Sequence, residues 1–125
     1  MDKLIREEIP TFKQLGRTNR RAIGGNAVLA DTMSCGFARF SLADGKMVPH
    51  KHEREIIYVR EAKGVTARYG AEPTKLDGSS RLNTGDLLRF HDGEWHVFDM
   101  DDEDSYLEIF WVFDIPQSNN VDYVE

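Results

Sequence analysis

The chain has 125 residues, 40% of them hydrophobic and 30% charged, which is the size and composition of one globular domain. Acidic residues outnumber basic ones, 22 to 16, and the net charge of −6 repels phosphate backbones, so nucleic acid is not an expected partner. No apolar run approaches the roughly 18 residues that a membrane-spanning helix requires, so no membrane association is expected either.

The first 25 residues are interpreted as an N-terminal extension or edge strand, with residues 3–8 as the best helical candidate. The segment lacks the apolar stretch of a signal peptide, and this predicts a cytoplasmic protein. A basic cluster, Arg17, Arg20 and Arg21, is interpreted as a solvated loop or strand edge. The single cysteine, Cys35, excludes an intrachain disulfide, which fits a reducing compartment, and is interpreted as a small buried residue.

Short β-like runs separated by turn residues follow after residue 25. The predicted strands are 27–32, 36–42, 56–60, 65–69, 87–90, 95–98 and 106–114. Turns are predicted at 43–46, 77–80, 83–86 and 91–94, and an acidic loop at 99–105. Such spacing is typical of an all-β sandwich or barrel. We therefore expect one all-β domain, a sandwich or a barrel, over residues 26–116 and a C-terminal tail over residues 117–125.

Three of the four histidines are placed in a way that favours a metal site. His50 and His52 are two residues apart, so in a strand both imidazoles face one side and can reach one ion at about 2.0–2.1 Å. Glu55 follows three residues later and can add a carboxylate if the chain bends there. His96, on a later predicted strand, can close the site. The alternative is that His50 and His52 are surface histidines of a polar segment.

Residues 45–64 resemble the first sequence motif of the cupin superfamily. A glycine is followed by the pair His50 and His52, then by Glu55, a β-strand and a second glycine. The gap between His52 and Glu55 is two residues, where the family usually has three or four. The shorter gap turns the carboxylate to the other face unless the loop tightens, and Glu53 is a second candidate.

Residues 85–100 resemble the second cupin motif. Gly85, Gly93 and His96 stand at the matching intervals. His91 occupies the position of the motif's proline, and the usual asparagine position holds a methionine. The two motifs occur in the family's order, and the strand pattern extends the resemblance over most of the chain.

The resemblance implies a double-stranded β-helix, the jelly-roll barrel of the cupins, with a central pocket. It also implies one divalent transition metal ion, Fe, Mn, Ni, Zn or Co, held by four residues. The implied ligands are His50, His52, Glu55 and His96. Three histidines and water are the alternative ligand set.

Alternation along the strands predicts which side chains face the barrel interior. Leu88 and Phe90 are expected to point inward, as are His96 and Phe98. On the last long strand one face carries residues 107, 109, 111 and 113, and the opposite face is also largely apolar. A strand with two apolar faces is covered on both sides, so we expect a homodimer.

Three residues are candidates for catalysis beside the metal. Arg39 could hold a substrate carboxylate through a bidentate contact, or could be a solvated edge residue. Tyr58 lies near the metal ligands in sequence, where packing is the alternative to a chemical role. His91 could serve as an acid or base facing the pocket, or could be a surface residue of a turn.

The implied function is that of a metal-dependent enzyme acting on a small oxygen-bearing organic molecule. Two reaction classes are open, oxygenation with Fe(II) and a non-redox isomerisation or elimination. The alternative is a non-catalytic cupin that binds or senses a sugar or an organic acid. In either case the expected partner is a small molecule.

Overall fold

The computed structural model describes residues 1–23, 33–52 and 54–114, together with the backbone of 122–123. These residues form two antiparallel sheets. The strands are β1 (Phe12–Gln14), β2 (Arg17–Ile23), β3 (Ser34–Ser41), β4 (His50–Lys51), β5 (Glu55–Lys63), β6 (Val65–Gly70), β7 (Gly78–Arg81), β8 (Leu87–Arg89), β9 (Trp95–Met100), β10 (Tyr106–Phe113) and β11 (Asp122–Tyr123). Short 3-10 helices span Arg6–Glu8 and Leu42–Asp44. No helix in the described ranges is long and apolar enough to cross a bilayer.

The two sheets stack as the layers of a jelly-roll barrel. One sheet has the strand order β1-β2-β3-β10-β5-β8, and the other has the order β11-β4-β9-β6-β7. Every strand pair is antiparallel, and many neighbouring strands are distant in sequence, as in β3 beside β10. The expected all-β double-stranded β-helix is therefore confirmed. This topology brings β2, β4, β5 and β9 around one interior.

The core fills the space between the sheets. Leu107, Val59 and Val65 are completely buried, and each such aliphatic side chain contributes about 1.5–3 kcal/mol through burial. Residues 107, 109, 111 and 113 of β10 are buried and alternate with half-buried residues, so their predicted common face is confirmed and points into the core. The aromatic members of the core cluster are Phe40, Phe90, Phe98, Trp111 and Phe113. Several of these aromatic rings form the wall of the metal centre described below.

The predicted strands that lie in the described residues agree with the structure to within a few residues at each end. The structure adds β4 and β7, and it has two strands, β1 and β2, where one N-terminal extension or edge strand was predicted. Strand β7 occupies a segment predicted as a turn, since its polar residues Gly78–Arg81 pair with β6 at the edge of a sheet. Only Arg6–Glu8 of the predicted helix is helical, as a single 3-10 turn. The predicted strand 27–32 lies outside the described residues. So do the expected domain boundaries near residues 26 and 117, which stay predictions.

The outer face of the six-stranded sheet carries a row of apolar side chains. The homodimer expected from the sequence stays a prediction, and this row is the surface through which we expect two copies to associate. Phe37, Phe110, Tyr58 and Leu87 are successive partners across β3, β10, β5 and β8. Tyr58 is 45% exposed and Leu87 is 72% exposed. We expect a second copy to cover this row, because exposed contiguous apolar surface favours association. Sedimentation velocity should show a dimer that Leu87→Glu converts to monomer, and a monomeric wild type would contradict the expectation.

Candidate metal centre

Three buried histidines converge between the two sheets. His50 begins the two-residue strand β4, His52 follows that strand, and His96 lies opposite His50 on β9. All three are at most 5% exposed, and their ligand nitrogens lie within 4.8 Å of one another. Nitrogens at this separation can bind a common ion, since each would lie about 2.0–2.1 Å from it. The three histidines could therefore hold a metal.

Neighbouring groups fix the orientation of two of these rings. Nδ1 of His50 lies 3.2 Å from the carbonyl oxygen of Val48. A carbonyl oxygen only accepts, so Nδ1 donates and the lone pair is on Nε2, the arrangement typical of metal-binding histidines. Phe90 stacks on the His96 ring with centroids 3.8 Å apart and planes 6° apart. Rings held in this way lose little conformational freedom when an ion binds.

Glu55 brings a carboxylate to the same place. It begins β5, is 4% exposed, and its Oε1 lies 3.7 Å from Nε2 of His96. This oxygen has no hydrogen-bond partner among the described residues, and burial raises the pKa of the carboxyl to about 8. An unpaired buried acceptor costs about 1–3 kcal/mol, a cost that coordination of an ion removes. Glu53, the other candidate carboxylate, lies outside the described residues.

The backbone of Arg54 explains how Glu55 reaches the histidines across a short gap. Its φ of +55° lies in the left-handed region, which residues other than glycine seldom adopt. The tight turn keeps Glu55 on the inner face and leaves Ile56 outside. The N–H of Arg54 donates to Asp92 at 3.2 Å, and its guanidinium lies 3.3 Å from Asp114. The tightening that the short gap requires is therefore present.

The electrostatic environment keeps the imidazoles of His50 and His96 neutral. Burial lowers the pKa of His50 well below its usual range, and the nearby His96, His52 and Arg17 add to this effect. Burial likewise lowers the pKa of His96, with His52 and Arg17 contributing. Neutral imidazole is the form that binds metals. Imidazole nitrogens with one carboxylate oxygen suit Fe, Mn, Ni, Zn or Co, so this donor set fits the implied ion.

Arg17 is a cavity residue that no motif of the sequence identifies. The prediction that it belongs to a solvated loop or strand edge is wrong, because Arg17 is 5% exposed and lines the cavity beside the histidines. Its guanidinium carbon lies 5.7 Å from the centre of the Phe40 ring. Arg20 and Arg21 of the same cluster are partly buried, and Arg21 lies over the Phe12 ring. Alternation along β2 is the sequence signal that could have identified Arg17 as an inward-facing residue, because Arg17 and Asn19 share the buried face of this strand.

A polar network holds the inner face of β2. Nε of Arg17 donates to Oε1 of Gln14 at 3.2 Å, and the amide of Asn19 donates to the same oxygen at 2.8 Å. The indole N–H of Trp111 donates to Oδ1 of Asn19 at 3.1 Å. Trp111 can lie this close because its strand partner is Gly36, where a Cβ would meet the indole ring. The network ties the position of Arg17 to both β1 and β10.

The cavity between these residues is small and mostly apolar. Its volume is about 20 Å³, enough for one water-sized particle and little more. The polar lining consists of the three histidines, Glu55, Arg17 and Asn19. The apolar lining is formed by Ala38, Phe40, Ile57, Phe98, Ile109, Trp111 and Phe113. The side chains that line the cavity are mostly buried, and electrostatic interactions are stronger in such a medium than in bulk water.

The three catalytic candidates lie outside this cavity, and a catalytic role for any of them stays a prediction. Arg39 is on the outer face of β3, because Ala38 and Phe40 point inward, and it pairs with Glu108 at 2.9 Å. Tyr58 is 45% exposed on the outer face of β5. His91 is exposed in the turn before β9, where its N–H donates to Glu94. None of the three lines the cavity of the described residues.

Comparison with known proteins relates this architecture to solved structures of low sequence identity. No protein-family model matches the sequence, and no curated protein matches it. A protein from Planctomyces limnophilus matches with a TM-score of 0.72 and 16% identity, over 99% of this chain and 97% of that chain. The polyketide cyclase RemF from Streptomyces resistomycificus matches with a TM-score of 0.70 and 21% identity, over 100% of this chain and 86% of the cyclase.

A third similar structure is longer than this protein. Hydroxypropylphosphonic acid epoxidase (HppE) from S. wedmorenis matches with a TM-score of 0.65 and 12% identity, over 90% of this chain. The chain spans 59% of the epoxidase, and the Fe(II) form of HppE gives the same values. At these identities the likeness concerns the fold. Together with the three buried histidines, it shows that the chain has the fold of the cupin superfamily.

Proposed function

We propose that this protein is a metal-dependent enzyme that acts on a small oxygen-bearing organic molecule. His50, His52, His96 and Glu55 are its metal ligands. The observation that carries the proposal is the meeting of three buried imidazoles with a buried carboxyl oxygen that lies 3.7 Å from one of them. Burying these polar groups together without an ion costs free energy, because polar groups lose their hydrogen bonds to water when they are buried. In this proposal the described chain holds one divalent ion.

The ion, when bound, would act as a Lewis acid toward an oxygen atom of the substrate. The protein's own residues supply the surroundings. Aromatic side chains, including Phe40 and Phe98, form part of the cavity wall. Glu55 contributes one negative charge that offsets part of the charge of the ion. The stacked Phe90 and the carbonyl of Val48 hold the ligand rings in place.

Two reaction classes are compatible with this site, oxygenation with Fe(II) and a non-redox isomerisation or elimination. The similar structures include an epoxidase, crystallised with Fe(II), and a polyketide cyclase, so one fold supports more than one kind of reaction. A reaction that needs O₂ consumes it in proportion to substrate. A non-redox reaction proceeds at the same rate without O₂. This difference separates the two classes experimentally.

The proposal is tested with untagged full-length protein. Elemental analysis should find about one divalent transition metal per chain after purification or after loading with Fe, Mn, Ni, Zn or Co. The loaded protein is then incubated with small organic acids, keto acids and catechols, with O₂ uptake and product formation both recorded. Turnover with uptake assigns an oxygenase, and turnover without uptake assigns an isomerase or lyase. Failure to bind any of these metals would overturn the proposal. Saturable binding of an acid or a sugar without turnover would favour the non-catalytic alternative.

A further inference from the structure

A groove on the outer face of the six-stranded sheet is lined by four arginines. Residues of the N-terminal segment and of strands β2, β3, β10 and β5 form it, and its volume is about 240 Å³. The charged residues in its lining are Arg6, Glu7, Arg20, Arg39, Arg60 and Glu108. Four guanidinium groups and two carboxylates give this lining a formal charge of +2, in a chain whose net charge is −6. A cleft in which positive charge is concentrated attracts anions.

Strand pairing explains how the sheet side of the groove is built. Thr18 of β2 is opposite Arg39 of β3, and Arg39 is opposite Glu108 of β10. The pairing of β10 with β5 then shifts between Glu108 and Ile109, so Arg60 is the additional residue of a β-bulge in β5. A bulge redirects the side chain of its additional residue. Arg60 and Arg39 thereby reach the same groove from two strands that flank β10.

One carboxylate lies beside two of these arginines. Oε1 of Glu108 accepts from Nη1 of Arg39 at 2.9 Å, and its Oε2 lies 3.9 Å from Nη1 of Arg60. The Arg60 side chain is 34% exposed and makes no hydrogen bond to the described residues. Its guanidinium carbon lies 6.0 Å from the centre of the Phe37 ring, which also lines the groove. The N–H donors of Arg60 are therefore available to a ligand in the groove.

The arginine on β2 has no carboxylate partner among the described residues. Nη1 of Arg20 donates to the backbone oxygens of Glu7 and Ile9, at 3.3 and 2.6 Å, and so fastens the N-terminal segment to the sheet. The carboxylate of Glu7 lies 2.7 Å from Arg6. Backbone carbonyls carry no net charge, so they leave the charge of Arg20 in place. Glu61 does not line the groove, and counting its carboxylate as well still leaves one positive charge.

We infer that this groove binds the phosphate group of a small molecule, with Arg20, Arg39 and Arg60 as its hydrogen-bond donors. A dianion cancels the formal charge of the lining, whereas a monocarboxylate cancels half of it. Guanidinium groups on three different strands suit an anion with several oxygen atoms pointing in different directions. The groove has ample room for a phosphate group, since a water molecule occupies about 30 Å³ in the liquid.

This site is separate from the cavity beside the histidines. Arg39 points away from Ala38 and Phe40, the buried residues of β3 that line that cavity. The two sites are therefore on opposite faces of one sheet, and the inference does not depend on the proposed function. Phosphate binding and metal binding can be measured independently of each other.

The inference is tested by titrating untagged full-length protein with inorganic phosphate at pH 8, where phosphate is mainly a dianion. Chemical shifts of the backbone amides locate the bound ion. Wild type should show saturable shifts at residues 18, 20, 39, 60 and 108, and acetate, a monoanion, should bind more weakly. Arg60→Gln should bind phosphate at least about 10-fold more weakly, since it loses hydrogen bonds between charged groups. Its metal content should equal that of wild type.

Arg68→Gln is the matched control, because it removes the same charge from an exposed arginine on the other sheet that lies 3.3 Å from the carboxylate of Asp99. Its phosphate affinity should equal that of wild type. Equal weakening by Arg60→Gln and Arg68→Gln would reduce the effect to net charge and overturn the inference. Acetate binding as tight as phosphate binding would contradict the assignment of a phosphate group.

Two further proteins protect the test against other causes of a negative result. Arg39→Gln repeats the measurement from β3, and wild-type phosphate affinity in both folded arginine variants would overturn the inference. Leu87→Glu is titrated beside wild type, so that association of two copies does not hide the groove. Absence of saturable shifts in both proteins, or shifts confined to the surroundings of the three buried histidines, would overturn it as well.

Discussion

Replacing His96 with alanine is expected to lower the affinity for divalent metals by more than about 100-fold, since loss of a residue that merely supports a ligand already costs about 10–100-fold. His96 faces both His50 across the strand pair and Glu55 at 3.7 Å, so its removal opens the centre of the ligand set. Metal content after dialysis and competition with a chelator of known affinity measure the effect.

Two further variants make the His96 result interpretable. His91→Ala removes an exposed histidine from the turn five residues earlier, and its metal affinity should be unchanged. His96→Gln fills most of the space beside Phe90, so it separates loss of a ligand from loss of packing. If folded His96→Ala protein retains as much metal per chain as wild type, the ion is bound elsewhere.

Glu55→Gln is expected to change the stability of the protein in opposite directions with and without metal. In the metal-free protein the buried carboxyl has a pKa of about 8, compared with 4.5 for an unperturbed group. A neutral amide avoids the cost of burying a carboxylate, so the metal-free variant should be more stable than wild type at pH 8. In the loaded protein the amide is the weaker ligand, so the variant should be less stable.

The pH dependence follows from the direction of this pKa shift. Between pH 4.5 and 8 the folded metal-free protein keeps the proton of Glu55, whereas the unfolded chain has released it. The free energy of unfolding of wild type therefore falls as the pH rises, relative to Glu55→Gln, by on the order of 3 kcal/mol between pH 5 and 8. His50 and His96 act oppositely: their lowered pKa values reduce stability as the pH falls below 6.5. That contribution is common to both proteins.

Urea unfolding of the two metal-free proteins at several pH values measures this difference. If the free energies of unfolding of wild type and Glu55→Gln change in parallel from pH 5 to 8, the Glu55 carboxyl is solvated. In that case β5 does not hold this carboxyl in a buried position beside the histidines. The same titrations with saturating metal should show the order of stability reversed. If Glu55→Gln remains the more stable of the two proteins when metal is bound, that result would argue against Glu55 as a ligand.

Much of the fold and of the histidine cluster was predictable because it depends on local patterns. The i, i+2 spacing of His50 and His52 places both imidazoles on one side of an extended chain wherever the strand lies. For the same reason, alternation predicted that residues 107, 109, 111 and 113 share one face of β10, and the structure decides that this face is the inner one. By contrast, the polar edge strand Gly78–Arg81 lacks an apolar face, so no local pattern distinguished it from a turn.

The sequence by itself determined the all-β class and the common side of His50 and His52, since alternation is a property of the chain within each strand. That His96 joins them was implied by the resemblance to the two cupin motifs. Only the tertiary structure decided which face of a strand is inside. Long-range pairing turns Arg17 into the cavity and Arg39 outward, although both lie in strands of the same sheet. The left-handed turn at Arg54 likewise restores Glu55 to the inner face despite its short spacing. Register and backbone turns arise from contacts between distant residues, which no local pattern encodes.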